Sequence, residues 1–286
     1  MQSHEVILIT GCSSGIGYST GLLFARKGWR VFAGVRDSKN QGAKELGRIA
    51  KEEKLPLTIL HLDVTRDTDV KRAVDLVIKK TGRIDVLVNN AGFGYLGAVE
   101  DFTIDEVKKQ YDVNIYGALR MMKAVIPYMR REKSGRIINI TSINGLIPFP
   151  LYGIYSSSKF ALEALSESIR FEVEPYGIQV LIVEPGVIDT KFWLSRKFPD
   201  LKKSLYKEVT ISFFNRVERG KFIKRNKQLN HLVSPNNVAD RIVELTEWED
   251  PPFRSIVGFD ANLLNFLYQM LPRGLWDWLL HKAYKW

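Results

Sequence analysis

Six short apolar runs punctuate the first two thirds of this chain: Val6–Thr10, Val31–Gly34, Thr58–Leu62, Val86–Asn89, Ile137–Ile140 and Val180–Val183. Apart from Thr10, Thr58, His61, Asn89 and Asn139 each is a continuous apolar run, where a strand with one wet face would alternate. That is the pattern of strands buried on both faces. Between them, Gly15–Lys27, Asp67–Lys80, Thr103–Arg131 and Tyr155–Glu174 carry apolar residues at helical spacing. Alternation of this kind predicts an α/β fold, a doubly wound parallel sheet flanked by helices. Such sheets bind ligands at the carboxyl ends of their strands. No repeat, low-complexity tract or Pro/Gly-rich linker divides the 286 residues, so a single domain is expected.

Two motifs sit where that fold places ligands. The first is the turn Thr10-Gly11-Cys12-Ser13-Ser14-Gly15-Ile16-Gly17, between the first strand and the first helix. Missing side chains let a backbone approach a pyrophosphate, and a helix N-terminus offers N–H donors and a positive dipole end. The second is Tyr155 and Lys159, one helical turn apart on one face, preceded by Ser142. A free phenol titrates near ~10, too high for proton transfer at neutrality. An ammonium beside it favours the phenolate and is expected to lower that value. The pair reads as a proton-transfer device beside a nucleotide cradle.

With these pieces the chain resembles the classical short-chain dehydrogenases/reductases. The resemblance rests on Thr10–Gly17, Asp63-Val64, Asn89-Asn90-Ala91-Gly92, Asn114, Ser142, Tyr155–Lys159, Pro185-Gly186 and Thr190, in family order over roughly residues 5–190. The wording T-G-C-S-S-G-I-G with Arg36 is most similar to hydroxysteroid and retinol dehydrogenase-type members. The resemblance implies a Rossmann-type sheet and hydride transfer between a nicotinamide and an alcohol or carbonyl carbon. It implies catalytic roles for Asn114, Ser142, Tyr155 and Lys159. Tyr155 would be the acid/base, Ser142 would orient the substrate oxygen, and Lys159 would also hold the nicotinamide ribose. Asn114, whose side chain has no evident local role, would hold a water that links Lys159 to solvent. The cofactor would be held by Gly11, Ser13, Ser14, Gly15, Ile16, Gly17, Arg36, Asp63, Val64, Asn90, Ala91, Gly92, Tyr155, Lys159, Pro185, Gly186, Ile188 and Thr190. Asp63 would meet the adenine amino group, and the backbone at Ile188 with Thr190 would meet the carboxamide.

In NAD-binding folds an acidic residue at the end of the second strand accepts from the ribose hydroxyls. With that strand read as Arg30–Gly34, the position falls on Val35, followed by Arg36. A guanidinium fork suits a 2′-phosphate, so NADP(H) is expected over NAD(H). A slip of two positions would instead offer Asp37 to the ribose. No metal is expected, because His4, His61, His231 and His281 are scattered and Cys12 is the single cysteine.

Charge marks a boundary. The chain carries +10, and residues 191–231 hold twelve basic residues against three acidic, a net of +9. This stretch also holds Phe192, Trp193, Phe198, Tyr206, Phe213, Phe214 and Phe222. The expected division is a cofactor-binding and catalytic core over 1–190, a substrate lid over 191–231 and an apolar-aromatic tail over 261–286. Ser234–Asn237 reads as a cap before a helix over Val238–Glu247, and Arg254–Gly258 as a last strand. The basic, aromatic stretch admits three readings: a site for an anionic, apolar-tailed substrate, docking to an acidic membrane surface, or a solvated helix pair covering the pocket. Leu146, Ile147, Phe149, Leu151, Tyr152 and Trp193 are candidates for an apolar pocket wall, which favours a hydrophobic alcohol, ketone or aldehyde. A homodimer or homotetramer through the two long helices is expected by analogy. No nucleic-acid motif accompanies the charge. Met1–Glu5 runs directly into an apolar strand, so no leader is expected and the location is expected to be cytoplasmic, with peripheral membrane association as the alternative. The competing function is a non-catalytic, NADP-sensing or membrane-associated binding protein on the same fold.

Overall fold

The computed structural model describes residues 5–188, 197–202, 204–218 and 233–284. Seven parallel strands form one sheet in the order β3-β2-β1-β4-β5-β6-β7. They are β1 Val6–Thr10, β2 Arg30–Val35, β3 Leu57–His61, β4 Val86–Asn89, β5 Gly135–Ile140, β6 Ile178–Pro185 and β7 Arg254–Val257. The continuous apolar runs are these strands, and β1 and β4 are buried along their whole length.

The described helices are α1 Gly15–Arg26, α2 Gln41–Glu52, α3 Asp67–Thr81, α4 Ile104–Tyr111, α5 Ala118–Glu132, α6 Gly153–Val173, α7 Lys207–Glu218, α8 Pro235–Glu247, α9 Phe259–Met270 and α10 Arg273–Tyr284. Strand side chains alternate between the two sheet faces. Leu8, Leu87, Ile137 and Val180 meet Val74, Val125 and Val173 of α3, α5 and α6. Ile7, Ile9, Val88 and Ile138 meet Phe24, Leu46 and Ile242 of α1, α2 and α8. The sheet is therefore doubly wound, and the chain forms a single domain.

Three elements differ from the sequence expectation. The stretch Thr103–Arg131 is not one helix: a π-helical turn, Asp112–Gly117, separates α4 from α5. Single π turns occur inside otherwise α-helical stretches, and no residue of the sequence marks this one. Helix α2 was not expected; its buried stripe is only Ala43, Leu46 and Ala50 in an otherwise charged segment. Strand β6 also runs past Val183 through Glu184 and Pro185.

Strand order reverses between β1 and β4, so their carboxyl ends diverge into a crevice, where this sheet class binds ligands. Thr10, Asn89, Ile140 and Pro185 end the four central strands around it.

Candidate active site

The glycine turn leaves β1 with Gly11 at φ +73° and Gly15 at φ +59°, backbone that glycine adopts without penalty. Its loops are tied together by Thr10. The Thr10 hydroxyl accepts from the N–H groups of Asn90 (3.0 Å) and Ala91 (2.9 Å). The Asn90 amide donates back to the carbonyls of Thr10 (2.8 Å) and Gly11 (3.2 Å). Gly17 is required by close approach, since a Cβ there would stand 2.4 Å from Asn90 Nδ2 and 2.7 Å from Gly11 O. Its missing side chain lets α1 seat on the second loop. Gly42, which the sequence did not single out, does the same for α2, since its Cβ would stand 1.9 Å from Ser13 O.

One large cavity covers this crevice. Around the glycine turn it is lined by Gly11, Ser13, Ser14, Gly15, Ile16, Arg36, Asp63, Val64, Asn90, Ala91 and Gly92, and elsewhere by Ser142, Tyr155, Lys159, Pro185, Gly186 and Ile188. Of the expected site residues, Gly17 and Asn114 stand behind the wall, and Thr190 lies outside the described residues, as does Trp193. Asp37 and Asn40 also line the cavity. Asn40 caps α2, accepting from Gly42 N at 2.9 Å. Burial raises the Asp63 carboxyl, but hydrogen bonds from Thr65 and the charges of Arg36 and Arg66 outweigh it and hold it below its ordinary value.

The far wall corrects the pocket expectation. Phe149 and Tyr152 do line the cavity, but Leu146, Ile147 and Leu151 do not. Ile147 is fully buried among Ala261 and Trp276 with Leu146 against it, and Leu151 is buried beside Leu96 and Tyr155. The apolar wall comes instead from Ile211 and Phe213 of α7 and from Leu264, Leu267, Trp276, Leu279, Leu280 and Tyr284 of α9 and α10.

Tyr155, Lys159 and Ser142 converge at the middle of the cavity, all buried. Lys159 Nζ donates to Ile140 O at 2.9 Å and lies 5.8 Å from the Tyr155 ring centre. Burial pushes the Tyr155 phenol up to about 12, and a hydrogen bond with Ser142 pulls against it. Burial pushes Lys159 down to about 8, with Glu163 opposing. The expected lowering of the phenol by its lysine is thus overridden in the chain by itself: removal from water disfavours both charged forms.

Asn114, expected to lack a local role, is fully engaged. Its Oδ1 accepts from Phe93 N (3.1 Å), and its Nδ2 donates to Phe93 O and to Ser158 Oγ (both 3.0 Å). Ser158 in turn donates to Tyr155 O at 2.7 Å. Gln110, also missed, donates to Ser158 Oγ at 3.1 Å and to Ile154 O. The π turn and α4 thereby fasten the first turns of α6 to the loop after β4.

A charged cluster lies beneath this centre. Glu163 and Glu184 are buried, and Arg254 of β7 pairs with both, reaching Glu184 at 3.0 Å and the outer Glu167 at 2.9 Å. Burial and the neighbouring Glu163 raise Glu184 to about 7, against the pull of Arg254. A sequence signal did exist for Glu163, which continues the stripe Tyr155, Lys159 at the next turn. Asp260, at the start of α9, accepts from Val187 N at 2.9 Å and lies 2.7 Å from where a Cβ on Gly186 would be, fixing the turn after β6. Among the described residues no group of His, Cys, Asp or Glu is arranged to hold a metal.

A family model described as short chain dehydrogenase matches residues 5–198. The chain is 36% identical over 254 residues to 3-ketodihydrosphingosine reductase of Bacteroides thetaiotaomicron, covering 89% of this chain and 88% of that protein. It is 34% identical over 287 residues to retinol dehydrogenase 8 of Bos taurus, covering 96% and 88%. A solved short-chain dehydrogenase from Streptomyces avermitilis superposes with a TM-score of 0.81 at 29% identity, over 100% of this chain and 97% of that one. The motifs of the glycine turn and the Tyr155–Lys159 stripe, the strand order and these relatives agree: the chain belongs to the short-chain dehydrogenase/reductase family, oxidoreductases of alcohol and carbonyl groups that bind a nicotinamide dinucleotide.

Proposed function

We propose that this chain is an NADP(H)-dependent oxidoreductase that interconverts a hydrophobic alcohol and its ketone or aldehyde, with Tyr155 as acid and base. The observation that carries the reading is the position of Tyr155, Ser142 and Lys159 in one cavity with the glycine turn and an apolar wall. At about 2360 Å³ that cavity exceeds the ~300–1,000 Å³ of an ordinary ligand pocket, leaving room for a dinucleotide and a bulky substrate together. Relatives named for 3-ketodihydrosphingosine and retinol favour the same substrate class.

The residues fit the cofactor. The missing side chains of Gly11 and Gly17 let the glycine turn close on the loop at Asn90 and Ala91, and the N-terminal turn of α1 at Ser14, Gly15 and Ile16 faces the cavity, as a pyrophosphate requires. Ser13 adds a hydroxyl. Arg36 would take a 2′-phosphate, Asp63 and Val64 the adenine, and Asn90, Ala91 and Gly92 the adjoining ribose. Pro185, Gly186, Ile188 and Thr190 would border the nicotinamide. When bound, the nicotinamide supplies or accepts the hydride at the reacting carbon.

The chain's own groups handle the proton. A phenol held near 12 keeps its proton at neutral pH, the state that can protonate a carbonyl oxygen. Ser142, hydrogen-bonded to Tyr155, would donate to the same substrate oxygen and orient it. Lys159, still charged below about 8, would stabilise the phenolate left behind and hold the nicotinamide ribose. Asn114 would hold the loop and helix that place Lys159, and a water beside it would return the proton. A homodimer or homotetramer would form on the outer faces of α4 to α6, where Ile104, Tyr116, Phe160 and Phe171 are exposed.

The test is consumption of NADPH, followed by its absorbance, across steroid, retinoid and long-chain ketones, beside a Tyr155→Phe variant. Turnover should fall by about 10²–10⁴-fold in the variant while NADPH still binds. Near-normal turnover in Tyr155→Phe would overturn the role. Binding without consumption by the wild type across the panel would instead make the chain a nucleotide-sensing protein.

A further inference from the structure

Helices α9 and α10 are apolar on two sides. Inward, Ala261, Leu264, Leu267, Tyr268 and Trp276 pack together against Ile147. Outward, α9 exposes Phe259, Leu263, Phe266 and Met270, at spacings of four, three and four, which is one helical stripe. Outward, α10 exposes Leu275, Trp278 and Leu279, with Lys282 Nζ 4.9 Å above the Trp278 ring. These side chains are between 37% and 66% exposed. One such residue on a surface is ordinary; seven on two consecutive helices joined only by Leu271 and Pro272 are not. Each helix has twelve residues, roughly 18 Å at 1.5 Å per residue. That is well short of a ~30 Å hydrocarbon core. Among the described residues no helix is long and apolar enough to cross a membrane.

We propose that α9 and α10 lie flat on an anionic lipid bilayer, and that the substrate passes along α10 between the bilayer and the cavity. The proposal rests on the reading of the chain as an oxidoreductase of hydrophobic substrates. Leu279 carries the connection, because it stands one turn from the exposed Leu275, is itself partly exposed, and also lines the cavity. An apolar substrate moving along it would not have to cross bulk water, which is the costly step for such a molecule. Charge selects the occupant. Lys197 and Lys207 line the cavity together with Leu279, Leu280 and Glu208, and the stretch 191–231 to which they belong carries a net charge of +9 in sequence. Anionic headgroups complement a stretch of that charge. A second copy docked through a two-fold axis would bring the same lysines toward each other. The Trp278–Lys282 pair has the chemistry of an interfacial anchor, an amphipathic ring with a cation able to reach the headgroups.

Phe266, Met270 and Trp278 do not line the cavity, so charged or polar replacements there leave the chemistry in place. The experiment floats the full chain with vesicles of phosphatidylcholine alone and of phosphatidylcholine with phosphatidylserine. It compares the wild type with Phe266→Glu/Trp278→Glu and with Phe266→Ser/Met270→Ser. The wild type should float with the phosphatidylserine vesicles, and both variants should lose at least about tenfold in partitioning. NADPH binding, and turnover of a water-soluble ketone where the wild type has it, should be unchanged. No flotation of the wild type, or flotation that the variants do not reduce, would overturn the proposal. A wild-type dimer that the variants convert to monomer, without flotation, would overturn it in favour of a second copy. Flotation lost in the variants, in a protein that turns over no carbonyl substrate, would leave the docking surface standing and remove the enzymatic reading.

Discussion

Lys159 and Glu163 sit one turn apart on α6, both buried, and each favours the charged form of the other. Burial lowers Lys159 to about 8, and Glu163 opposes that fall. Burial raises Glu163, while Thr141, Arg254 and Lys159 pull it back. Lys159 is thus backed by a carboxylate that Arg254 holds in place.

Replacing that carboxylate should show in a pH profile. In Glu163→Gln, Lys159 loses the group that keeps its pKa near 8, so its ammonium is lost at lower pH. The alkaline limb of kcat/KM should move down by about one unit, with rates near wild type at pH values below both limbs. A limb that stays in place while only thermal stability falls would make Glu163 a packing residue alone. Glu163→Asp should restore part of the shift if charge is what matters.

Arg36 decides the cofactor prediction. Beyond Val35 it is the first side chain of the turn after β2 to line the cavity, and Asp37 lines it too. One Asp37 oxygen already accepts from Lys39 N at 2.8 Å. A charge-assisted contact to a 2′-phosphate is worth about 1.5–3 kcal/mol. Arg36→Ala should therefore cut kcat/KM with NADPH by roughly 10–100-fold and leave NADH little changed. A wild type that prefers NADH would sink this and point to Asp37.

Two glycines of α1, one turn apart, should respond in opposite directions. A Cβ on Gly21 meets nothing closer than 3.9 Å, so Gly21→Ala gains helix propensity of about 1 kcal/mol. A Cβ on Gly17 would press on Asn90 and on the backbone of Gly11, and Gly17→Ala should cost about 1–3 kcal/mol. Thermal melting should rise in the first and fall by several degrees in the second, with NADPH affinity lost only in the second. Equal melting temperatures would mean that α1 does not seat as described.

Asn114 separates a structural role from a relay. All three of its hydrogen bonds are internal, to Phe93 and Ser158. Asn114→Ala leaves the Phe93 amide and carbonyl without that partner in a partly buried site, at up to about 1–3 kcal/mol for each unsatisfied group. Both melting temperature and turnover should drop. A loss of turnover with unchanged melting would show that the side chain serves proton transfer only.

What the sequence made legible follows from how directly each feature is encoded. Strands buried on both faces are mostly apolar, so β1, β4 and β5 can be read from their runs. The turn at Gly11 and the Tyr155–Lys159 stripe are local in sequence, and their spacing survives folding unchanged. Long-range features were hidden. The apolar wall at Trp276 and Leu280 comes from residues more than a hundred positions after Tyr155, and no local pattern links them. Leu146 and Ile147 carry the right chemistry, but the short helical turn Ile143–Gly145 aims Ile147 into the core. Asn114 gave no sign of its bonds because their partners, Phe93 and Ser158, lie in separate elements. Glu184 misled the reading of β6, since a charge inside a buried strand argues for a strand end. Only the neighbouring strand explains it: Glu184 stands in register with Ile256, and Arg254 reaches across from β7.

That buried carboxylate carries the last prediction. Glu184 is fully buried, and its Oε2 has no hydrogen-bond partner. Glu163 from α6 and Arg254 from β7 face it, and Lys159 stands one turn from Glu163. Its pKa is raised from the ordinary 4.5 to about 7, chiefly by burial and then by Glu163. The folded chain therefore binds a proton more tightly than the unfolded chain, and the stability this adds is present below about 4.5 and lost as pH rises to about 7. Glu184→Gln removes the titration, so its unfolding free energy should lack that decline between the two values. Denaturant unfolding at closely spaced pH values in both proteins measures the difference. The same slope in both would mean that Glu184 is already ionised across this range, neutralised by Arg254, and that the cluster below Lys159 carries one proton fewer.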